Sequence, residues 1–212
     1  MITEEQSGLL RERGWVFVSG EGLAQMIKLA LALGHPVRSR TNGRYVDRLR
    51  PLSRDKAPKN SMSAIYGTAA FPFHTDCANR RTPPHYIVLS LAPGSSSDRA
   101  TLLKDSREIS PQEAVALSRA VYLVTSTRQP FYANVLVPAF IRYDPCCMRP
   151  ASASFAAAER IFSSFLQRSK TTVIEWESRR MLVIDNHRLL HARAEGPAET
   201  DRVLFRVLIG ES

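Results

Sequence analysis

The spacing of hydrophobic and polar positions changes part-way along the chain. Early on, apolar residues recur at the three- and four-residue intervals of amphipathic helices over residues 3–13 and 21–33, and Gly34 is placed to end the second helix. Between these helices, GWVFVSG has the composition of a short strand. Residues 36–63 are basic and proline-containing, which indicates a surface loop or lid around a short strand at 44–50.

The later part of the chain consists mainly of short β-type runs separated by turn residues. These runs are SAIYGTAAFPF, HYIVLSLA, ATLLKD, AVYLVTST, FYANVLVP, FIRYD, TTVIEW, RMLVIDN and RVLFRVLIG. One clear helix, from about Ser152 to Arg168, interrupts them. Many short strands predict a sandwich or barrel. Because no repeat, low-complexity tract or linker divides the chain, we expect one domain over residues 1–212, with helices and a loop at 1–60 and a β core at 61–212.

Composition narrows the class of protein. The chain has 212 residues, of which 44% are hydrophobic, as in a soluble domain with a full core. It has no apolar run of membrane-helix length, and the polar, acidic start MITEEQSGLLRERG does not resemble a signal peptide, so we expect a cytoplasmic protein without a membrane partner. Cys77, Cys146 and Cys147 then predict reduced thiols, and they form too few clusters for a zinc site.

A formal net charge of +9 would attract anions. The arginines are scattered, without the lysine-rich tails or interleaved aromatic residues of single-strand binders. This distribution favours a solvated surface and a small anionic ligand over nucleic acid.

The segment FPFHTD places His74 and Asp76 one residue apart, directly after an aromatic run. Alone, such a triplet is more commonly a turn than a metal site. Two histidines and one carboxylate on one side of a metal bind non-haem Fe(II) and leave positions open for dioxygen and a co-substrate, so a third ligand is required. His191 is the best of four candidates because it follows the apolar strand RMLVID; an isolated histidine is otherwise more often a core residue. The candidates are His35, His85, His187 and His191.

Two arginines near the C-terminal end indicate an acidic ligand. Arg202 and Arg206 are four residues apart in DRVLFRVLIG, so on a strand their side chains would lie on the same face. Burying an arginine side chain costs free energy unless the side chain pairs with an anion. Its planar guanidinium group can donate two parallel hydrogen bonds to a carboxylate. The pair therefore predicts a dicarboxylate or another acidic ligand.

In their joint order, FPFHTD, PPHYIVLSL, DNHRLLHAR and DRVLFRVLIG resemble the clavaminate synthase-like group of Fe(II)/2-oxoglutarate-dependent oxygenases, which includes the taurine dioxygenase relatives. The resemblance covers roughly residues 60–210. It implies a mainly β fold with flanking helices, in which the core is a double-stranded β-helix, that is, a cupin-like jelly roll.

The resemblance also implies roles for individual residues. His74, Asp76 and His191 match the iron ligands. In the family pattern, the ligand histidine begins an H-x-R motif that follows a DN-x-R motif, and this pattern favours His191 over His187. Thr101 and Arg202 match residues that bind the distal carboxylate of 2-oxoglutarate. Arg206 matches a position that contacts an acidic group of the substrate or co-substrate in some relatives.

The implied activity is hydroxylation of an aliphatic carbon in a small molecule, such as an amino acid or biosynthetic intermediate, with Fe(II), 2-oxoglutarate and dioxygen. Halogenating relatives have a small residue at the position of Asp76, so this carboxylate favours hydroxylation. Two alternatives stay open: a nucleic-acid demethylase with the same chemistry, and a cupin-like binding protein that has lost catalysis. The segments Asn79–Arg81 and Arg142–Asp144 could lie near the substrate or could be surface turns.

Overall fold

The secondary structure is taken from a computed structural model. It describes residues 2–40, 43–58, 61–125, 129–152, 155–196 and 202–210. Five α-helices are present in these residues: α1 Glu4–Arg13, α2 Leu23–Leu33, α3 Met62–Tyr66, α4 Pro111–Arg119 and α5 Phe155–Arg168. The strands are β1 Trp15–Ser19, β2 His35–Val37, β3 Val46–Leu49, β4 Phe71–His74, β5 Tyr86–Leu91, β6 Thr101–Asp105, β7 Val121–Val124, β8 Phe131–Asn134, β9 Leu136–Val137, β10 Phe140–Ile141, β11 Met148–Pro150, β12 Thr172–Ile174, β13 Arg180–Asp185, β14 Leu189–Arg193 and β15 Leu204–Gly210.

Two sheets form the centre of the molecule. The larger has the order β1-β13-β5-β15-β2, with β3 also paired to β15, and the smaller has the order β12-β6-β14-β4. Strands β11-β7-β8 and β10-β9 form two further small sheets. Every strand pair recorded in the described residues is antiparallel. The expectation of a mainly β protein with flanking helices is therefore confirmed.

Successive side chains of each strand point to opposite faces of its sheet, and this alternation explains how the layers pack. On β15, Leu204 and Leu208 pack in one apolar cluster with Leu103 of β6 and Leu189 of β14, so this cluster joins the two larger sheets. Val207 and its neighbours on the opposite face pack against α1 and α2. On the other face of β14, Leu190 packs into a third cluster with residues of α4, α5 and the three-stranded sheet.

Helix α4 was not predicted, because only one helix was expected among the later strands. Its start nevertheless carries a clear signal: Ser110 and Glu113 form a capping box, and Pro111 occupies the first turn. The run SAIY, predicted as part of a strand, lies in helix α3, and the strand begins only at Phe71. These short segments have too little periodicity to distinguish a helix from a strand.

As expected, His191 follows the strand RMLVID, which is β13, but it also lies inside a further strand, β14, that was not predicted. The predicted same-strand placement of the two arginines is also only half right, because β15 begins at Leu204 and Arg202 precedes it. Parts of three predicted segments lie outside the described residues: 126–127 at the end of AVYLVTST, 153–154 in the helix expected from about Ser152, and 201 at the start of DRVLFRVLIG. Among the helices described, none is long and apolar enough to cross a membrane.

Candidate metal centre

Two side chains of the HTD turn meet a third side chain from far along the sequence between the two larger sheets. His74 ends β4 and lies directly across from His191 of β14 in the strand register, while Asp76 follows β4 by two residues. The Nε2 atoms of both histidines lie 3.8 Å from Oδ1 of Asp76, and the two ring centroids are 4.3 Å apart. One ligand atom from each residue lies within 4.8 Å of the other two. The structure thus brings the three predicted metal ligands together.

The protonation states suit a divalent metal. Nδ1 of His74 donates to the carbonyl of Pro72 at 2.9 Å, and this contact orients the ring so that Nε2 faces Asp76. Burial and the neighbouring His74 lower the pKa of His191 to about 3, against the opposing effect of Asp76, so His191 is neutral near pH 7. Burial alone would raise the pKa of Asp76, but Arg206 and the two imidazoles lower it to about 2. Two imidazoles and one carboxylate are the donor set of a non-haem iron site.

A buried amide fixes the turn that carries Asp76. Asn186 is fully buried, and its Oδ1 accepts from the backbone N–H of Asp76 at 2.8 Å. Its Nδ2 donates to the carbonyl of Asp76 at 3.2 Å and to that of Pro84 at 2.8 Å. Since Asn186 lies five residues before His191, this side chain joins the two ligand-bearing segments. In the sequence, Asn186 stands out only as part of the motif DNHRLLHAR, which predicts no role for it.

The middle residue of the HTD turn is held from the opposite side. The N–H of Thr75 donates to the carbonyl of Tyr143 at 2.7 Å, and its hydroxyl donates to the carbonyl of Ile141 at 3.2 Å. Arg142 is buried and donates to the carbonyls of Ala78, Arg80 and Arg81, the last at 2.6 Å. The segment Arg142–Asp144 therefore supports the turn and the loop after it through backbone contacts.

Arg206 reaches the site, but it contacts protein carboxylates. Its Nη1 lies 2.9 Å from each carboxylate oxygen of Asp76. Its Nε and Nη2 donate to Oδ2 of Asp47 on β3, at 3.1 and 2.8 Å. Asp47 was missed by sequence reasoning, because nothing in the basic segment around it distinguishes it from a solvated surface residue.

The two residues predicted to bind 2-oxoglutarate are both buried. Thr101 is 5% exposed and opens β6, where it lies across from Arg193; His191 lies across from Leu103, so Thr101 shares the sheet face that carries His191. Arg202 is 6% exposed and lies two residues before β15. A buried threonine and a buried arginine on these elements are compatible with an acidic ligand beside the triad.

The other histidines are placed elsewhere. His187 donates from Nε2 to the carbonyl of Pro83 at 2.9 Å, and its ring stacks on that of His85 with centroids 4.5 Å apart. His35 is exposed on β2. In the described residues the triad is the one group of three or more potential ligand side chains that could hold a metal.

Comparison with solved structures identifies the fold. An asparagine oxygenase in complex with Fe(II), (2S,3S)-3-hydroxyasparagine and succinate matches with a TM-score of 0.76 at 16% identity, over 97% of this chain and 77% of that one. The non-heme iron oxygenase OrfP in complex with Fe and alpha-ketoglutaric acid matches with a TM-score of 0.74 at 17% identity, over 99% and 81%. PvcB from Pseudomonas aeruginosa gives 0.68 at 18%, over 96% and 78%.

No protein-family model and no curated protein matches the chain. At these identities the structural matches establish a shared fold, and the resemblance read from the sequence motifs is confirmed at that level.

Proposed function

We propose that the protein is an Fe(II)- and 2-oxoglutarate-dependent oxygenase. The observation that carries this proposal is the buried triad of His74, Asp76 and His191, whose ligand atoms lie within 4.8 Å of one another. We further propose that the two larger sheets form a double-stranded β-helix, and that residues 1–212 make up one domain. Three free cysteines are compatible with the reducing environment of the cytoplasm.

In this proposal the chain contributes ligands, orientation and charge. His74, Asp76 and His191 would hold the metal on one side, and Thr101 and Arg202 would bind the distal carboxylate of 2-oxoglutarate. When bound, iron and 2-oxoglutarate supply the oxidising chemistry, in which dioxygen converts the co-substrate to succinate and carbon dioxide and delivers one oxygen atom to the substrate. Burial of the triad excludes bulk water from the reacting groups.

The substrate class we propose is a small molecule with an aliphatic carbon, such as an amino acid or a biosynthetic intermediate. The similar asparagine oxygenase and OrfP structures hold hydroxylated amino acids, which supports this class. The carboxylate at position 76 favours hydroxylation over halogenation. The arginines of the basic segment that the structure describes are exposed, which accords with a solvated surface and a small-molecule substrate; they are Arg38, Arg40, Arg44, Arg48, Arg50 and Arg54.

The test is formation of succinate by the purified chain with Fe(II), 2-oxoglutarate and a panel of amino acids. His74→Ala should abolish both metal binding and succinate formation while the fold persists, because His74 supplies a ligand and little of the core. His85→Ala, which removes a histidine outside the triad, is the matched control and should retain both. If the wild type forms no succinate under any of these conditions, or if His74→Ala keeps its turnover, the proposed function is wrong.

A further inference from the structure

Arg206, near the C-terminal end of the described residues, is held between two carboxylates from the first half of the chain. Asp76 follows β4, whereas Asp47 lies on β3, directly across from Arg206 in the strand register. The side chain of Arg206 is 18% exposed, that of Asp76 10% and that of Asp47 22%. Paired opposite charges on neighbouring strands, partly shielded from water, form a more persistent contact than an exposed salt bridge.

The geometry uses all three guanidinium nitrogens. Nη1 lies 2.9 Å from both oxygens of Asp76, while Nε and Nη2 share Oδ2 of Asp47. The other oxygen of Asp47 accepts from the hydroxyl of Ser39 at 2.7 Å. Ser39 and Asp47 therefore fix the far side of Arg206, and Arg206 in turn fixes the carboxylate of Asp76.

The charges around the triad explain why Asp47 matters. The charges of Asp76 and Arg206 alone would cancel, and a divalent cation would then enter a site with no net carboxylate charge next to a guanidinium. With Asp47, two carboxylates and one guanidinium give a net charge of about −1, which favours a cation. Groups that orient and polarise a metal ligand commonly change metal affinity by about ten- to a hundredfold when they are removed.

We propose that Asp47 is a positioning residue of the metal centre: acting through Arg206, it orients the carboxylate of Asp76 and balances the guanidinium charge. This inference rests on the proposed function, because it assumes that the triad binds a divalent metal. It also assigns Arg206 to the protein's own carboxylates, which accept hydrogen bonds from its Nε, Nη1 and Nη2 atoms.

The test is Co(II) titration of the full metal-free chain, followed by the visible absorption of the bound ion. Asp47→Asn should weaken Co(II) binding about tenfold. The matched control is Asp105→Asn, since Asp105 is 24% exposed and pairs with a partly buried Arg188, with Nε of Arg188 2.9 Å from Oδ1 of Asp105. This control should stay within about twofold of the wild type, because Asp105 takes part in no recorded contact with the triad in the described residues.

A double variant separates charge balance from a general loss of structure. Asp47→Asn combined with Arg206→Gln removes the unbalanced guanidinium, so it should bind Co(II) more tightly than Asp47→Asn alone. If Asp47→Asn fails to fold, Ser39→Ala is tested in its place. This variant should weaken Co(II) binding about threefold, because Asp47 loses the hydrogen bond from the Ser39 hydroxyl.

Two results would overturn the inference while the proposed function stands: Asp47→Asn binding Co(II) within about twofold of a wild type that binds normally, or a double variant no tighter than the single one. If Asp47→Asn does not fold, unchanged Co(II) binding by Ser39→Ala has the same meaning. Failure of the wild type itself to bind Co(II) would overturn the proposed function and this inference with it.

Discussion

Replacing Asn186 by alanine should cost more stability than a typical change at a single polar residue. Asn186 is fully buried and makes three hydrogen bonds, two with the backbone of Asp76 and one with the carbonyl of Pro84. Each such bond contributes about 1 kcal/mol net, and a buried group left without a partner costs about 1–3 kcal/mol. Since alanine restores none of the bonds, we expect a loss of about 3–5 kcal/mol in the free energy of unfolding.

Urea denaturation of the metal-free protein measures this loss directly. Asn134→Ala is the control, because the Asn134 side chain is only partly buried and donates one hydrogen bond, at 3.2 Å, to the carbonyl of Ala120; it should cost about 1 kcal/mol. Asn186→Asp should also destabilise, because an ionised carboxylate cannot donate to the two carbonyls. If Asn186→Ala costs no more than Asn134→Ala, the amide does not hold the turn, and the reasoning is refuted.

The remaining predictions concern ligand binding. His191→Ala should lose metal binding, whereas His187→Ala should keep it, since His187 donates to the carbonyl of Pro83 instead of facing the triad; a metal titration of both variants decides between them. Arg202→Ala should weaken 2-oxoglutarate binding by about ten- to a hundredfold, because a charge-assisted hydrogen bond is worth about 1.5–3 kcal/mol. Thr101→Val keeps the side-chain shape and should weaken the same binding about fivefold, through loss of one neutral hydrogen bond. Anaerobic titration with metal present measures both, and unchanged affinity in Arg202→Ala would contradict its assigned role.

Residues that share a local motif could be predicted from the sequence. Because His74 and Asp76 are separated by only one residue, they lie close together regardless of the tertiary fold. Choosing His191 as the third ligand required the motif resemblance, because chain distance alone does not distinguish it from His187. In the structure, the pairing of β14 with β4 brings His191 opposite His74, and no local pattern specifies that pairing.

Helix α4 is predictable from the residues at its start, although it was not among the expected elements. The order Ser110, Pro111 and Glu113 before an apolar run is a recognisable helix start. Because the surrounding runs are strand-like, only the helix from about Ser152 to Arg168 was expected in this part of the chain. In a short segment, the capping residues therefore carry more information than the hydrophobic period.

The network around Arg206 depends on contacts that no sequence interval reveals. Asp47 and Arg206 are 159 residues apart, and Asp76 and Arg206 are 130 apart. The change of hydrophobic period near residue 60 led to the expectation of helices and a loop at 1–60 and a β core at 61–212. Instead, β1, β2 and β3 pair with strands of the later part in one sheet, which brings Asp47 beside Arg206. A charged residue in a basic segment that is typical of a solvated surface can therefore pair with an arginine of the candidate metal centre, because strand pairing decides which charged residues come into contact.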